Sequence, residues 1–336
     1  TLDANKTIPA GVTLQFRNSK INLGGFTLTG TNTKIDSGLT QIFDTSGDLL
    51  GAFDVKESYL QWFGADGLSD YGVAFLKCLK ISNTIKLNSV FNIKKITVTN
   101  SDINIIGGGI NTDMIIFTGD NVLLDSIDVT ITDSSVIAAE YVTTQCLGGI
   151  VFSGSDNIIS NVNFKRTNHE YDATWQSAAL VMIGMSVDIG DFVSQAQTPT
   201  GHNSEVINCT FANSLAGLYL AGKKNKITNS NFNNHNVPVK LTASSRNIII
   251  DNCNIVGNND VTFSGADGIL ASRNVIGVTL TNTNISNCGE HGLYYQGQEL
   301  IVSNCHVFGN TEDGLKFGSY EDFNYWYPEE NSGLDY

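Results

Sequence analysis

The sequence predicts an all-β solenoid in which short parallel strands stack into coils of about three strands each. Three observations lead to this class: a short motif recurs at nearly regular intervals, its residues alternate between polar and apolar, and the composition suits strands joined by tight turns. Only 15% of the 336 residues are charged and only 4 are proline, whereas 33 are glycine. Such a composition favours strands and turns over helices.

The recurring motif begins with Asn and ends with an apolar residue. The second and fourth residues are small or apolar, which is the alternation of a strand with one buried face. We expect the leading Asn residues to form a hydrogen-bonded ladder and the second residues to form an inward column. The six copies are 161–164, 208–211, 229–232, 252–255, 282–285 and 304–307, and the intervals between the later copies are nearly equal except for the one before 282.

Two further strands recur in register with this motif. One begins with Gly, as at Gly149, Gly217, Gly268, Gly292 and Gly314, and the other precedes the Asn motif. A coil of three strands, buried only when coils stack, is the cross-section of a single right-handed parallel β-helix. Neighbouring strands are then expected about 4.8 Å apart.

The chain divides into three predicted parts. Residues 1–92 form an entry segment with short strands over 12–29 and a connecting strand and turn over 41–53. A short capping helix over 70–79, with Asp70 as its N-cap, plugs the open end of the stack. Residues 93–318 form the β-helix, and 319–336 are a tail or the start of a further domain.

Composition and motifs exclude several classes of function. A formal net charge of -14 argues against a nucleic-acid partner. The sequence lacks an apolar run long enough to span a bilayer, which predicts no membrane insertion, and residues 1–10 do not resemble a signal peptide. The six cysteines lack metal-ligand spacing, so we expect free thiols in the core. No cofactor motif and no metal motif is present, and we predict neither group.

One segment carries a resemblance to a known family. Gln41-Ile-Phe43 is followed at 60–70 by Leu-Gln-Trp-Phe-Gly-Ala-Asp-Gly-Leu-Ser-Asp. This run resembles the entry segment of the pectate-lyase-like β-helix superfamily, especially the tailspike depolymerases of tailed bacteriophages. The departure is that Ser69, Asp70 and Tyr71 stand where the family usually has paired aspartates and Thr.

The resemblance implies a homotrimeric spike on the virion tail that binds a bacterial surface polysaccharide. Such a polysaccharide is a capsule, an exopolysaccharide or an O-antigen, and these spikes commonly cleave it by glycoside hydrolysis or by β-elimination. The superfamily also contains spikes that only bind and secreted pectate lyases, so both remain alternatives, and fold alone does not decide the chemistry.

Function in a solenoid concentrates where insertions leave the regular coil. The turns 131–147 and 165–175 are both expanded, and they leave the same edge in adjacent coils. A third insertion, 187–202, leaves from the other turn of the second coil. We therefore predict a groove between these segments, with Tyr141, Tyr171, Trp175, Lys165 and Arg166 as the residues that bind the sugar.

The predicted catalytic residues lie in the same two turns. Glu140 with Glu170 or Asp172 forms the leading acid and base pair. Equivalent turns lie about 5 Å apart, or roughly 9.6 Å across two coils, which brackets the retaining and inverting geometries of glycosidases. The alternative is β-elimination, with His169 or Tyr171 as the base.

Two other edges of the coils carry stacked charges. Asp267, Glu290, His291, Glu312 and Asp313 precede Gly-led strands, and we interpret them as turn residues. The second edge has four cations, which we interpret as solvated surface charge: Lys223, Lys224, Arg246 and Arg273.

Overall fold

A computed structural model describes residues 1–64, 67–132, 148–167, 179–184, 200–242, 244–259 and 266–318. In this part of the chain, parallel strands stack coil upon coil, and each coil contributes one strand to each of three faces. The predicted fold class is confirmed. Parallel strands joined by crossover connections take the right-handed sense. The predicted tail, 319–336, lies outside the described residues.

The three faces are numbered in the order in which the chain passes through each coil. Face 1 contains Thr84–Lys86, Ile103–Ile106, Val122–Asp125, Ile158–Ser160, Glu205–Ile207, Lys226–Thr228, Arg246–Asp251, Ile276–Thr281 and Gln298–Ser303. Face 2 begins with the first halves of Val90–Val98 and Gly109–Phe117 and continues with Asp128–Ile131, Asn163–Arg166, Thr210–Ala212, Asn231–His235, Asn254–Gly257, Asn284–Ser286 and His306–Phe308. Face 3 begins with the second halves of those two long strands and continues with Gly148–Phe152, Ala179–Ile183, Ala216–Leu220, Val237–Leu241, Ile269–Ala271, Leu293–Tyr295 and Leu315–Phe317.

A separate parallel sheet precedes the coils. It comprises Lys6–Thr7, Thr13–Gln15, Thr27–Asp36 and Asp48–Asp54, so strands occupy only parts of the predicted segments 12–29 and 41–53. A 3-10 turn, Leu60–Trp62, follows this sheet.

The capping helix spans Gly72–Cys78, and its N-cap is Tyr71 rather than the predicted Asp70. The Asp70 carboxylate still orders this end, because its Oδ1 accepts hydrogen bonds from the N–H groups of Gly72, at 2.8 Å, and Lys94, at 3.1 Å. Phe75 is fully buried, and the helix packs against the first long strand of the coils. The helix therefore ties the entry segment to the stack.

The core repeats from coil to coil, as the alternation predicts. Phe164, Phe211 and Phe232 stack face to face, with centroid distances of 5.1 Å and 4.5 Å. The small column is confirmed at Cys209 and Cys253, which are buried, with thiols that donate to backbone carbonyl oxygens. The described cysteines are all free. Cys146 lies outside the described residues.

The Asn ladder marks the turn between faces 1 and 2. The leading Asn of each copy has φ between 52° and 55°, the left-handed region that Asn tolerates better than most residues. Asn252 Nδ2 donates to Asn229 Oδ1 at 2.7 Å, which confirms a side-chain ladder in this part of the turn. The ladder is not uniform, because Asn282 donates to Asp251 Oδ1 instead.

Candidate functional site

Most of the predicted site residues lie outside the described residues. Glu140 and Tyr141 belong to 133–147, whereas His169, Glu170, Tyr171, Asp172 and Trp175 belong to 168–178. Their assignment as catalytic or binding residues therefore stays a prediction. The strands from which these segments depart are described, and they fix where the segments begin and end.

The two segments connect the same pair of faces in adjacent coils. Ile131 is the register partner of Arg166, and Gly148 is the partner of Ala179. The chain passes from face 2 to face 3 through the long connection 132–147 in the earlier of these two coils and through 167–178 in the later one. In the next coil the same passage consists of 213–215, and in the coil after that it consists of position 236 alone. The paired departure expected from the sequence thus holds at the strand ends.

A third long connection begins on the opposite edge of face 3. The strand Ala179–Ile183 is followed by the connection 184–204 before face 1 resumes at Glu205–Ile207. Most of the predicted insertion 187–202 lies outside the described residues, although both of its flanking strands are described. The strand Ala179–Ile183 therefore lies between long connections on both edges of face 3, and Gly148–Phe152 follows a long connection on one edge.

Lys165 and Arg166 do not share one surface. Alternation along the strand leaves Lys165 exposed, whereas Arg166 is buried with 5% of its surface accessible. Burial raises the pKa of the phenol of Tyr219, which lies in the following coil. The positive charge of Arg166 acts in the opposite direction but is the weaker effect. Of the two predicted cations, Arg166 is thus the one that interacts electrostatically with a residue of face 3.

One column of residues on face 3 alternates with the core positions, and we call it the outer column. Tyr219 and Lys240 are register partners in it, and Lys240 Nζ lies 5.6 Å from the centroid of the Tyr219 ring. Burial lowers the pKa of Lys240 to about 8. The column is buried at its first three members and more exposed toward the last: Val151, Met182, Tyr219, Lys240, Leu270, Tyr294 and Lys316.

A cluster of acidic residues around one imidazole lies at the start of face 3 in the last described coils. Gly268 N–H donates to the carbonyl of His291, and Gly292 N–H donates to that of Asp313, so these turns stack in register. His291 Nε2 is 3.6 Å from Glu312 Oε2, and His291 Nδ1 is 3.6 Å from Asp313 Oδ2. The imidazole also contacts the ring of a tyrosine in the outer column, Tyr294, with centroids 5.5 Å apart.

Asp267 is the least exposed member of this cluster. Its side chain has no accessible surface, although its Oδ1 accepts a hydrogen bond from His291 N–H at 3.2 Å. Burial, together with the charges of Glu290 and Glu312, raises the pKa of Asp267 to about 7. Asp267 therefore differs from an ordinary turn acid in its burial, because a charged turn residue is usually exposed and solvated.

The edge that carries Lys223, Lys224, Arg246 and Arg273 is formed by turns of adjacent coils that pair through their backbones. Lys223 and Arg246 are bridge partners on adjacent coils, and Lys224 N–H donates to the carbonyl of Arg246. Both lysines are exposed, in agreement with solvated charge.

A comparison with family models bears on the architecture of the coils. Residues 196–325 match the family model described as right handed beta helix region. The chain is also similar to the crystal structure of the Dettilon tailspike protein, with 14% identity and a TM-score of 0.48 over 79% of this chain. The match covers 47% of that protein, so the chain spans about half of its length. No curated protein matches the chain. Among the described residues, no helix is long and apolar enough to cross a membrane.

Sequence reasoning missed Tyr219 and Lys240 as candidate site residues. It also missed the burial of Asp267. A charged residue inside an apolar strand was the available signal for Lys240, which stands between Val239 and Leu241. Tyr219 follows the ordinary pattern of its strand, and the burial of Asp267 depends on the coils that stack around it.

Proposed function

We propose that the protein is a tailspike-like polysaccharide depolymerase that binds a bacterial surface polysaccharide on the outer side of face 3 and cleaves it there. The observation that supports the proposal most strongly is that a long connection follows each of two register partners on adjacent strands, Ile131 and Arg166. A plain coil offers only short turns, whereas long connections on both edges of one face supply the walls that a sugar chain needs.

The residues near these connections suit a glycan. Lys165 is exposed and Lys240 is partly exposed on a chain with a net charge of -14, and the partly exposed Tyr294 adds aromatic surface to the outer column. Cations pair with carboxylates, and aromatic faces stack on sugar rings. This combination favours an acidic polysaccharide such as a capsule or an exopolysaccharide.

Catalysis is assigned to Glu140 with Glu170 or Asp172. On the strand spacing alone, carboxylates on equivalent turns are expected at separations that bracket the retaining and inverting geometries, in which one carboxyl group protonates the leaving oxygen and the other acts as nucleophile or base. In the family that the entry segment resembles, such spikes assemble as homotrimers on the virion tail, and we propose the same assembly here. Secretion as a free enzyme is the alternative location.

The test is incubation of the full chain with capsular polysaccharide, exopolysaccharide and O-antigen from candidate hosts. Release of oligosaccharides is expected, and a rise in ultraviolet absorbance from an unsaturated sugar would identify β-elimination, because only that route creates a new double bond. Glu140→Gln and Glu170→Gln should bind the glycan with unchanged affinity but lose at least about a hundredfold in rate. Glu205→Gln, on face 1, is the matched control and should retain full rate.

A glycan that binds with wild-type affinity and is never cleaved would contradict the enzymatic part of the proposal. Equal cleavage rates in the wild type and both variants would contradict the residue assignment. Loss of binding alone in the two variants would assign these acids to adhesion instead.

A further inference from the structure

We propose that Asp267, Glu290 and His291 form a binding site for one divalent transition-metal ion, of the class of Mn²⁺ or Zn²⁺, between successive coils. One ligand atom from each of these side chains lies within 4.8 Å of the other two. Bonds from such ions to oxygen and nitrogen ligands are about 2.0–2.2 Å long. A single ion therefore fits between the three atoms after small shifts of the side chains.

A second observation, independent of the clustering of acids, indicates a ligand. Asp267 Oδ2 is buried and has no hydrogen-bond partner in the part of the chain that the structure describes. The residue has 0% of its surface exposed. A buried carboxylate oxygen without a partner is costly, and a bound cation removes that cost.

The burial of Asp267 limits the kind of ligand that can bind it. A sugar ring cannot reach Oδ2 of a side chain that has no accessible surface, so direct proton transfer from Asp267 to a glycan is excluded in this conformation. A dehydrated ion is small enough to enter. Glu290 keeps part of its surface exposed, so this ligand of the proposed site is in contact with solvent.

The chemistry of the ligands selects the ion. Carboxylates bind many divalent ions, whereas an imidazole nitrogen favours transition metals over Mg²⁺ and Ca²⁺. His291 Nδ1 accepts a hydrogen bond from Asp313 N–H at 3.3 Å, so this nitrogen is the unprotonated one, and an ion that binds it must take the place of that hydrogen bond. Glu312 Oε2 lies 3.6 Å from Nε2, and a small shift would let it accept from the protonated nitrogen, which is the usual arrangement around metal-bound His.

The position of the site gives the ion a structural role. Asp267 precedes the strand Ile269–Ala271, whereas Glu290 and His291 precede the next strand, Leu293–Tyr295. An ion bound to all three side chains links two coils near the end of the described stack. It also reduces the repulsion among the carboxylates of the cluster.

The experiment is a titration of the chelator-treated full chain with Mn²⁺, which binds thiols weakly and so avoids the free cysteines. Loss of the free-ion electron paramagnetic resonance signal measures the bound fraction. We expect one ion per chain, and a rise of at least about 3 °C in the midpoint of thermal unfolding at saturation. Zn²⁺ should displace the bound Mn²⁺.

Asp267→Asn keeps the shape of the side chain and should weaken binding of the ion at least about tenfold, while Glu205→Gln should bind as the wild type does. If Asp267→Asn does not fold, Glu290→Gln takes its place, because that side chain is only partly buried. No bound Mn²⁺ or Zn²⁺ at millimolar concentration, or equal binding by wild type and variant, would overturn the proposal. The readout is the ion, so the result is independent of any cleavage of a glycan.

Discussion

Ile131 and Arg166 are register partners on adjacent strands of face 2, and a long passage to face 3 begins directly after each of them. Because neighbouring parallel strands lie about 4.8 Å apart, the two passages start side by side. This relationship is the basis for proposing a polysaccharide site on face 3. These passages lie several coils before the proposed metal site at Asp267, although Tyr294 of the outer column contacts His291 there.

The left-handed turn at Asn229 allows a test of the Asn ladder. Asn229→Ala should lower the free energy of unfolding by about 1–2 kcal/mol, because it combines the strain of Ala at φ 53° with loss of the hydrogen bond from Asn252. Asn229→Gly should cost less, since Gly adopts this conformation without strain. Denaturant unfolding of both variants gives the comparison, and a larger loss for Gly than for Ala would contradict the account.

The aromatic stack on face 2 should dominate the stability of its coils. Phe211 is fully buried and stacks on both Phe164 and Phe232. Phe211→Ala should lower the free energy of unfolding by about 3–5 kcal/mol, whereas Phe211→Leu retains most of the buried volume and should cost less. Urea denaturation measures both, and a loss below about 1 kcal/mol for Ala would show that the stack is not a principal part of the core.

Burial of Lys240 predicts a specific pH dependence. Its pKa of about 8 in the folded chain is below the value of about 10.4 in an unfolded chain, so between these values the unfolded state binds more protons. The contribution of Lys240 to stability therefore rises as the pH increases from about 8 to about 10.4. Lys240→Met should remove this rise.

The measured quantity is the difference in free energy of unfolding between the wild type and Lys240→Met. Between about pH 8 and pH 10.4 this difference should shift in favour of the wild type by about 1 kcal/mol. The expected shift is smaller than the full pKa difference implies, because the Lys240 side chain keeps partial exposure. Lys226→Met, on face 1, is the control for ionisation of other groups. A difference that does not change with pH would contradict burial of the ammonium group.

The buried thiols should be chemically inert in the folded chain. Burial raises the pKa of Cys209 and Cys253 to about 11 and that of Cys288 to about 12, so little thiolate forms at neutral pH. A colourimetric thiol reagent near neutral pH should leave these groups unmodified until denaturant is added, and mapping of the labelled peptides identifies them. Rapid labelling of Cys209 in the native chain would contradict its place in the core column.

The sequence was sufficient to predict the repeating architecture, because the inward positions of every coil show the same alternation. The phenylalanine stack and the Cys209 and Cys253 column follow directly from that pattern. The N-cap is Tyr71 rather than Asp70, because Asp70 bonds both the helix start and Lys94 of the first long strand, a contact that a local pattern does not encode. The buried state of Asp267 was missed for the same reason.

The central claim is that a glycan binds on the outer side of face 3, and a crystal structure of the full chain with a bound oligosaccharide tests it most directly. The oligosaccharide should come from a polysaccharide that the protein binds or cleaves. We predict that its sugar rings lie along face 3, beside the passages that follow Ile131 and Arg166 and within reach of the outer column. An oligosaccharide bound instead along the Lys223 and Arg246 edge, or on face 1, would contradict the account.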